Sequence, residues 1–354
     1  MDIALTELSV SAQTAYGQLF EAALNAEHVR SVSDLNGSFN AKTVKGRKYW
    51  YFQYFDAAGA LRQVYVGPDN ERVRALVEKA KRPARAAALG PLARSASSLG
   101  CATAARKHAR VLRRLAEYGF FRAGGVLIRT HAFVAYGNLL GVRWGSYDLT
   151  HDIDFAHAGK SLSLGLPSNL EVRTDDAISS LDMGFLPIIG LGGKTGGGFL
   201  NESEPEFRLD FLTTRHRGGT TPFMHPQLHV TLQPLPFMEF LLQDVEQAVV
   251  FSTEHVVLVN VPEPARFALH KLIVYGERTG AFRLKAAKDL AQAANLIAWL
   301  WPNRRDALLT ALADLNALGK GWTSRLRTGV AALGKAYPGL LAERSLARAL
   351  SAGR

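Results

Sequence analysis

Every strong strand signal in this chain lies before residue 263, and from Pro264 to residue 350 the pattern is helical. A chain so divided needs a mixed sheet with flanking helices first and a helical unit at its end, an α+β (α/β) architecture. The strand signals are β-branched and aromatic runs bounded by Gly, Pro and Asp. They fall at 49–55 and 61–66 as a hairpin, then at 125–128, 152–156, 207–212, 247–252 and 255–261. Two further strands are expected around 184–191 and 199–201. Helical spacing predicts one or two helices over 1–35, and others over 69–88, 102–118, 131–140 and near 168–181. Four more follow at 264–278, 282–301, 303–317 and 321–350. Gly90-Pro91 and the serines at 95–98 read as a boundary, and 213–234 as a Gly/Pro/His-rich loop. The expected units are 1–90 (N-terminal helices plus β-hairpin), 100–262 (the core) and 263–354 (a helical domain).

With 354 residues, 47% of them hydrophobic, the chain has room for two or three packed units. Its formal net charge of +11 favours an anionic partner: RNA or DNA on a basic surface, or a nucleoside triphosphate. Cys101 is the single cysteine, which excludes an internal disulfide framework and fits a reducing, cytoplasmic setting. The first ten residues carry Asp2 and Glu7 and no base, unlike a secretory leader. No uncharged apolar run reaches membrane-spanning length, so no membrane partner is expected.

The chemistry-bearing feature is a set of carboxylates inside strands. Alternate residues of a strand share a face, so Asp152 and Asp154 project together while Ile153 turns into the core. Two such carboxylates repel unless a cation sits between them, and hard oxygen ligands suit Mg²⁺ or Mn²⁺. Asp210 stands in a second apolar strand, where an isolated carboxylate is expensive. Beside the first two it completes a two-metal site.

The order of these motifs resembles the polymerase-β-type nucleotidyltransferase superfamily. The strand and helix from Gly125 to Phe133, followed by Thr150-His151-Asp152-Ile153-Asp154-Phe155, carry the resemblance. Val259-Asn260-Val261-Pro262, the segment Pro264 to Leu272, and the pattern Lys285-x-x-Lys288-Asp289-Leu290-x-Gln292-Ala293 extend it to about residue 300. It looks closest to bacterial stand-alone proteins related to abortive-infection and toxin–antitoxin enzymes. The resemblance implies metal-dependent transfer of NMP from an NTP such as ATP, with Asp152, Asp154 and Asp210 as catalytic metal ligands. It also implies a lysine at Lys271 that binds the triphosphate. The superfamily has a Gly-small pair where the first helix starts and the phosphates approach. Here that pair reads Arg129-Thr130. Thr130 supplies a hydroxyl and an N-cap. Arg129 either crowds the phosphate or adds a charge contact.

Other residues admit two readings. Phe267, Lys271, Val274 and Arg278 share one face of the 264–278 helix, so Lys271 and Arg278 either reach one anion together or form a solvated basic face. Lys285, Lys288 and Asp289 either line the same cleft or face solvent. The glycines at 190–198 with Lys194-Thr195 miss the P-loop spacing, because Ile188 stands where its first glycine belongs, and they read as a mobile loop over the cleft. The aromatic 49–55 strand is either a stacking surface for single-stranded nucleic acid or a hairpin packed on the N-terminal helices. Arg106, Arg110, Arg113 and Arg114 give the 102–118 helix a basic face that either meets phosphates or faces solvent. Two functional alternatives stand beside the enzyme: a catalytically weak binding module that keeps the fold, and a DNA-binding regulator acting through 40–115.

Overall fold

The computed structural model describes residues 3, 5–33, 37–55, 61–81, 86–145, 150–158, 172–189, 195–215, 219–277 and 283–351. The first part of the chain runs β1 (Leu5–Glu7), α1 (Val10–Ser33), β2 (Gly37–Val44), β3 (Arg47–Phe55), β4 (Leu61–Pro68), α2 (Glu71–Lys81), α3 (Ala86–Ser98) and α4 (Arg106–Glu117). The middle follows as β5 (Val126–Leu127), α5 (Arg129–Leu139), β6 (Val142–Trp144), β7 (Ile153–His157), α6 (Thr174–Ser179), β8 (Phe185–Ile189), β9 (Thr195–Asn201) and β10 (Arg208–Thr214). It closes with β11 (Phe223–His225), β12 (Val230–Leu235), α7 (Met238–Leu241), β13 (Val245–Phe251) and β14 (Val256–Pro262). Among the described residues only helices follow: α8 (Pro264–Glu277), α9 (Arg283–Asn303), α10 (Arg305–Ala317), α11 (Lys320–Ala336), α12 (Pro338–Leu341) and α13 (Arg344–Ser351).

The central sheet has the order β11-β12-β10-β7-β5, with β9 also against β10 and β8 against β9. β7, β10 and β12 run parallel, and β5, β9 and β11 pair antiparallel to their neighbours. The architecture is mixed α/β, as the sequence predicts. Several expectations need correction. The hairpin has a further strand before it, β2, which makes a three-stranded antiparallel sheet turning through Lys45-Gly46. Residues 213–234 are not a loop throughout, because Val230, Thr231 and Leu232 are buried in β12 beside β10. Gly90-Pro91 and the serines lie inside α3, where Ala93 and Ala96 are fully buried and packing overrides the breaker signal. The glycines 196–198 form part of β9, and 190–194 lie outside the described residues.

Two apolar cores hold the chain. A smaller one joins α1 and α3 to Val249 and Phe251 of β13. The larger one runs from α4 through the central sheet to the C-terminal helices. The basic residues of α4 stay at the surface beside local partners: Arg110 donates to Leu181 O at 2.6 Å, Arg106 pairs with Glu254, and Arg113 and Arg114 pair with Glu117. His108, the polar member of its apolar stripe, meets the buried His131 at 3.0 Å. α8 crosses α11 with almost no side chain between them. A Cβ on Gly276 would fall 2.5 Å from Arg325 O, and one on Gly329 would fall 2.3 Å from Leu272 O.

Candidate active site

Strand alternation decides which side chains leave the core. Ile153 and Phe155 of β7, and Leu209 and Phe211 of β10, are fully buried. Phe155 and Phe211 stack with their centroids 5.1 Å apart. The intervening Asp154 and Asp210 take the opposite face and are paired in register across the two parallel strands. Asp152, half-buried just before β7, shares a cavity with Asp154. Opposite Asp210 in β9 stands Gly198, where a Cβ would fall 2.9 Å from Asp210 Oδ1. Glycine is what leaves that carboxylate its space.

The cavity has a volume of about 450 Å³. Its charged lining comes from Arg129, Asp152, Asp154, Lys271, Glu277, Lys288 and Asp289. Its apolar lining comes mainly from the segment joining β12 to α7: Leu235, Pro236, Phe237, Met238 and Leu241. Asp210 stands beside Asp154 without lining the cavity itself. Among the described residues, no three His, Cys, Asp or Glu side chains close into a ready-made metal cage.

Asp154 is the strained member of the set. Burial raises its carboxyl group from 3.8 to about 6; Arg129 opposes that shift, and the nearby Asp210 and Asp152 reinforce it. Arg129 Nη1 lies 2.7 Å from Asp154 Oδ1, without the N–H alignment of a hydrogen bond. The arginine is the first residue of α5 and has φ +54°, a left-handed conformation that disfavours any residue with a Cβ by roughly 1–2 kcal/mol. The backbone at this position thus has the geometry of a glycine while the side chain supplies a cation.

Thr130 also lines the cavity, but it is not the N-cap. Ile128 holds that place, in extended conformation, and its N–H donates to Asp154 O at 3.0 Å. Lys271 is not on a solvated face. It is buried, lies 5.1 Å from the Phe267 ring centroid, and makes a 2.7 Å ion pair with Asp289 of α9. Lys288 lines the cavity from the same helix. Arg278 and the side chain of Lys285 lie outside the described residues.

Several lining residues escape sequence reasoning. Phe237 has φ +67° and half-buried placement, its ring held edge-on to Trp322 at 4.9 Å. Nothing in its neighbours marks an aromatic at a cavity wall. His270, Glu277 and Gln292 also line it. Gln292 is 4% exposed, and its Oε1 has no hydrogen-bond partner among the described residues. Its place in the 285–293 pattern does not separate a lining amide from one on a helix surface.

Comparisons with known proteins bear on the same region. No curated protein matches the chain. Among solved structures, it is similar to an antigenic nucleotidyltransferase-like protein from Paracoccidioides brasiliensis, at 17% identity and a TM-score of 0.30, covering 64% of this chain and 95% of that one. Residues 106–317 match the family described as Nucleotidyltransferase. That span runs from the first residue of α4 to the last of α10, takes in every lining residue of the cavity and covers well over half of the 354 residues, so the chain belongs to the nucleotidyltransferase family.

Proposed function

We propose that the chain is a metal-dependent nucleotidyltransferase that moves NMP from an NTP to an acceptor hydroxyl on an RNA end, a protein or a small molecule. The observation that carries this reading is the in-register pair Asp154 and Asp210, set beside a cavity that Asp152, Arg129, Thr130, Lys271 and Lys288 also line. The donor set fits a hard divalent cation: three carboxylates are electrostatically coupled, and a buried oxygen of Asp154 lacks a hydrogen bond. Asp152, Asp154 and Asp210 would hold Mg²⁺ or Mn²⁺, which when bound neutralises charge on the triphosphate and on the attacking oxygen.

The protein's own groups do the rest. Lys271, fixed by Asp289, and Lys288 supply positive charge for phosphate oxygens, with Thr130 and Arg129 at the start of α5. Arg278 is a further phosphate contact in this reading. The apolar lining around Phe237 takes the flat base. The acceptor oxygen attacks the α-phosphorus, the bond to the β-phosphate bridging oxygen breaks, and pyrophosphate leaves. Asp210 helps take the hydroxyl proton. Catalysis is mostly positioning and charge neutralisation. The units 1–90, 100–262 and 263–354, the kinship with toxin–antitoxin enzymes and a cytoplasmic setting belong to the same proposal. Cys101 fits that setting as a buried thiol whose pKa burial raises, which keeps it inert.

Asp210→Ala is expected to abolish transfer of label from α-labelled NTPs to RNA or protein, a loss of at least about a hundredfold. Unchanged transfer in that variant would sink the assigned site. The second reading, a catalytically weak binding module, is favoured by the guanidinium already resting on Asp154. Calorimetry of Mg²⁺ and NTP binding separates the two: absence of both affinities supports the module.

A further inference from the structure

The sheet β2-β3-β4 presents one face to solvent whose chemistry the catalytic reading does not use. Register puts Lys42 and Asn40 of β2, Tyr49, Tyr51 and Gln53 of β3, and Gln63 and Tyr65 of β4 on that side. The other side carries Phe39 and Phe52, whose rings meet at 5.0 Å, and Phe52 is buried. The solvent side is built in a fixed geometry. Lys42 donates to Gln63 across β3 at 2.7 Å and sits 5.5 Å from the Tyr51 ring centroid. Asn40 donates to Gln53, and Tyr65 packs between Tyr49 and Tyr51 at 6.1 and 5.5 Å. Tyr65 is nonetheless 54% exposed. At one end of the sheet the Lys45-Gly46 turn adds Lys45 and Arg47, both exposed, while Lys48 lies over the Trp50 ring on the reverse side at 5.3 Å. None of the three strands contains an acidic residue.

We propose that this face binds double-stranded DNA, with the strands laid into the major groove and the hairpin cations on the phosphate backbone. Charge complementarity selects a polyanion, since Lys42, Lys45 and Arg47 stand on or beside a face with no carboxylate. The amides of Asn40, Gln53 and Gln63 are of the kind that read base edges, and the tyrosine hydroxyls are of the kind that reach phosphate and sugar. The three strand axes span about 10 Å, against a B-form major groove about 12 Å wide. The deep, narrow major groove of A-form RNA does not admit such a sheet. Unpaired bases would need open ring faces for stacking. Here the tyrosine rings meet at 51° and 66°, and Lys42 covers Tyr51. The proposal is independent of the catalytic reading.

Fluorescence anisotropy of the full chain tests it, using a labelled DNA duplex of about 20 base pairs, an RNA duplex and a single DNA strand of the same sequence. Duplex DNA is expected to bind best. Lys45→Asn/Arg47→Gln, two exposed positions, is expected to weaken it about fivefold and to flatten the salt dependence by about 1.8 in log–log slope. Tyr65→Ser should weaken it several-fold with the slope unchanged, and Asp154→Asn should bind as wild type. Melting curves confirm that each variant folds. The proposal is overturned by tighter binding to RNA duplex or single strand, by no duplex binding at about 100 mM salt, or by folded variants that bind like wild type.

Discussion

Arg266 and Arg129, both near helix starts and both meeting aspartates, are treated very differently. Arg266, in the first turn of α8, is 3% exposed. Its guanidinium donates to Asp244 at 2.5 Å, to Gln243 at 3.0 Å and to Asp314, and it lies 5.2 Å from the Phe240 ring centroid. Its backbone N–H is taken by Glu263 at 2.8 Å. Arg129 has a 44% exposed side chain, a left-handed backbone and a poorly aligned contact to Asp154. A saturated cation holds elements together, here β13's approach, α8 and α10. An undersaturated one in a strained backbone stores free energy beside a cavity. On the proposed function, the difference separates a structural ion pair from one at the active site without reference to sequence position.

The comparison predicts a graded set of effects. Arg266→Ala is expected to be the most damaging, destabilising the protein by about 3 kcal/mol in urea unfolding, because it strips three partners at once and leaves a gap on Phe240. If Arg129→Ala costs as much, the distinction between the two arginines fails.

Asp154→Asn goes the other way. A carboxyl group raised from 3.8 to about 6 contributes stability that is full below 3.8 and lost as pH climbs through about 6. The asparagine variant escapes that loss. It is expected to match wild type near pH 4 and to exceed it by about 2–3 kcal/mol at pH 8. A variant less stable than wild type at pH 8 would make the Arg129 contact a net structural tie.

The smallest effect is reserved for Arg129→Gly. Relief of the positive φ and loss of a half-exposed ion pair oppose each other, so stability should stay within about 1 kcal/mol. The readout is instead the carboxyl carbon of Asp154 by NMR. Without the neighbouring guanidinium, its titration should move above that of wild type. An unmoved titration would show that the arginine does not act on the carboxylate.

Much of this was legible in the residues. The change from strands to helices falls where the residues put it, with β14 ending at Pro262 and α8 beginning at Pro264. A charge inside an apolar strand is a costly choice, so Asp154 and Asp210 announce themselves, and period two correctly turns Ile153 and Leu209 away from them. What escaped depends on neighbours the periodicity does not contain. Lys271 lies off the apolar stripe of α8, but α9, α10 and α11 bury that helix on more than one side, so the wheel's polar face becomes a cavity wall. β12 was hidden because Pro234 and Pro236 punctuate it, although Val230 and Leu232 still pair into the sheet. Phe237 reaches the cavity through a backbone conformation that single residues rarely signal.

The close crossing of α8 and α11 has a practical consequence for anyone mapping this protein by random mutagenesis. Leu272 O, which forbids a side chain at Gly329, belongs to the residue after Lys271. A methyl group on α11 would therefore be transmitted along a rigid rod to an ammonium group in the cavity wall. Clones altered at 276 or 329 would score among the inactive ones although neither glycine lines the cavity. Unlike clones altered at the carboxylates, they should regain function on cooling or through second-site changes in the opposing helix.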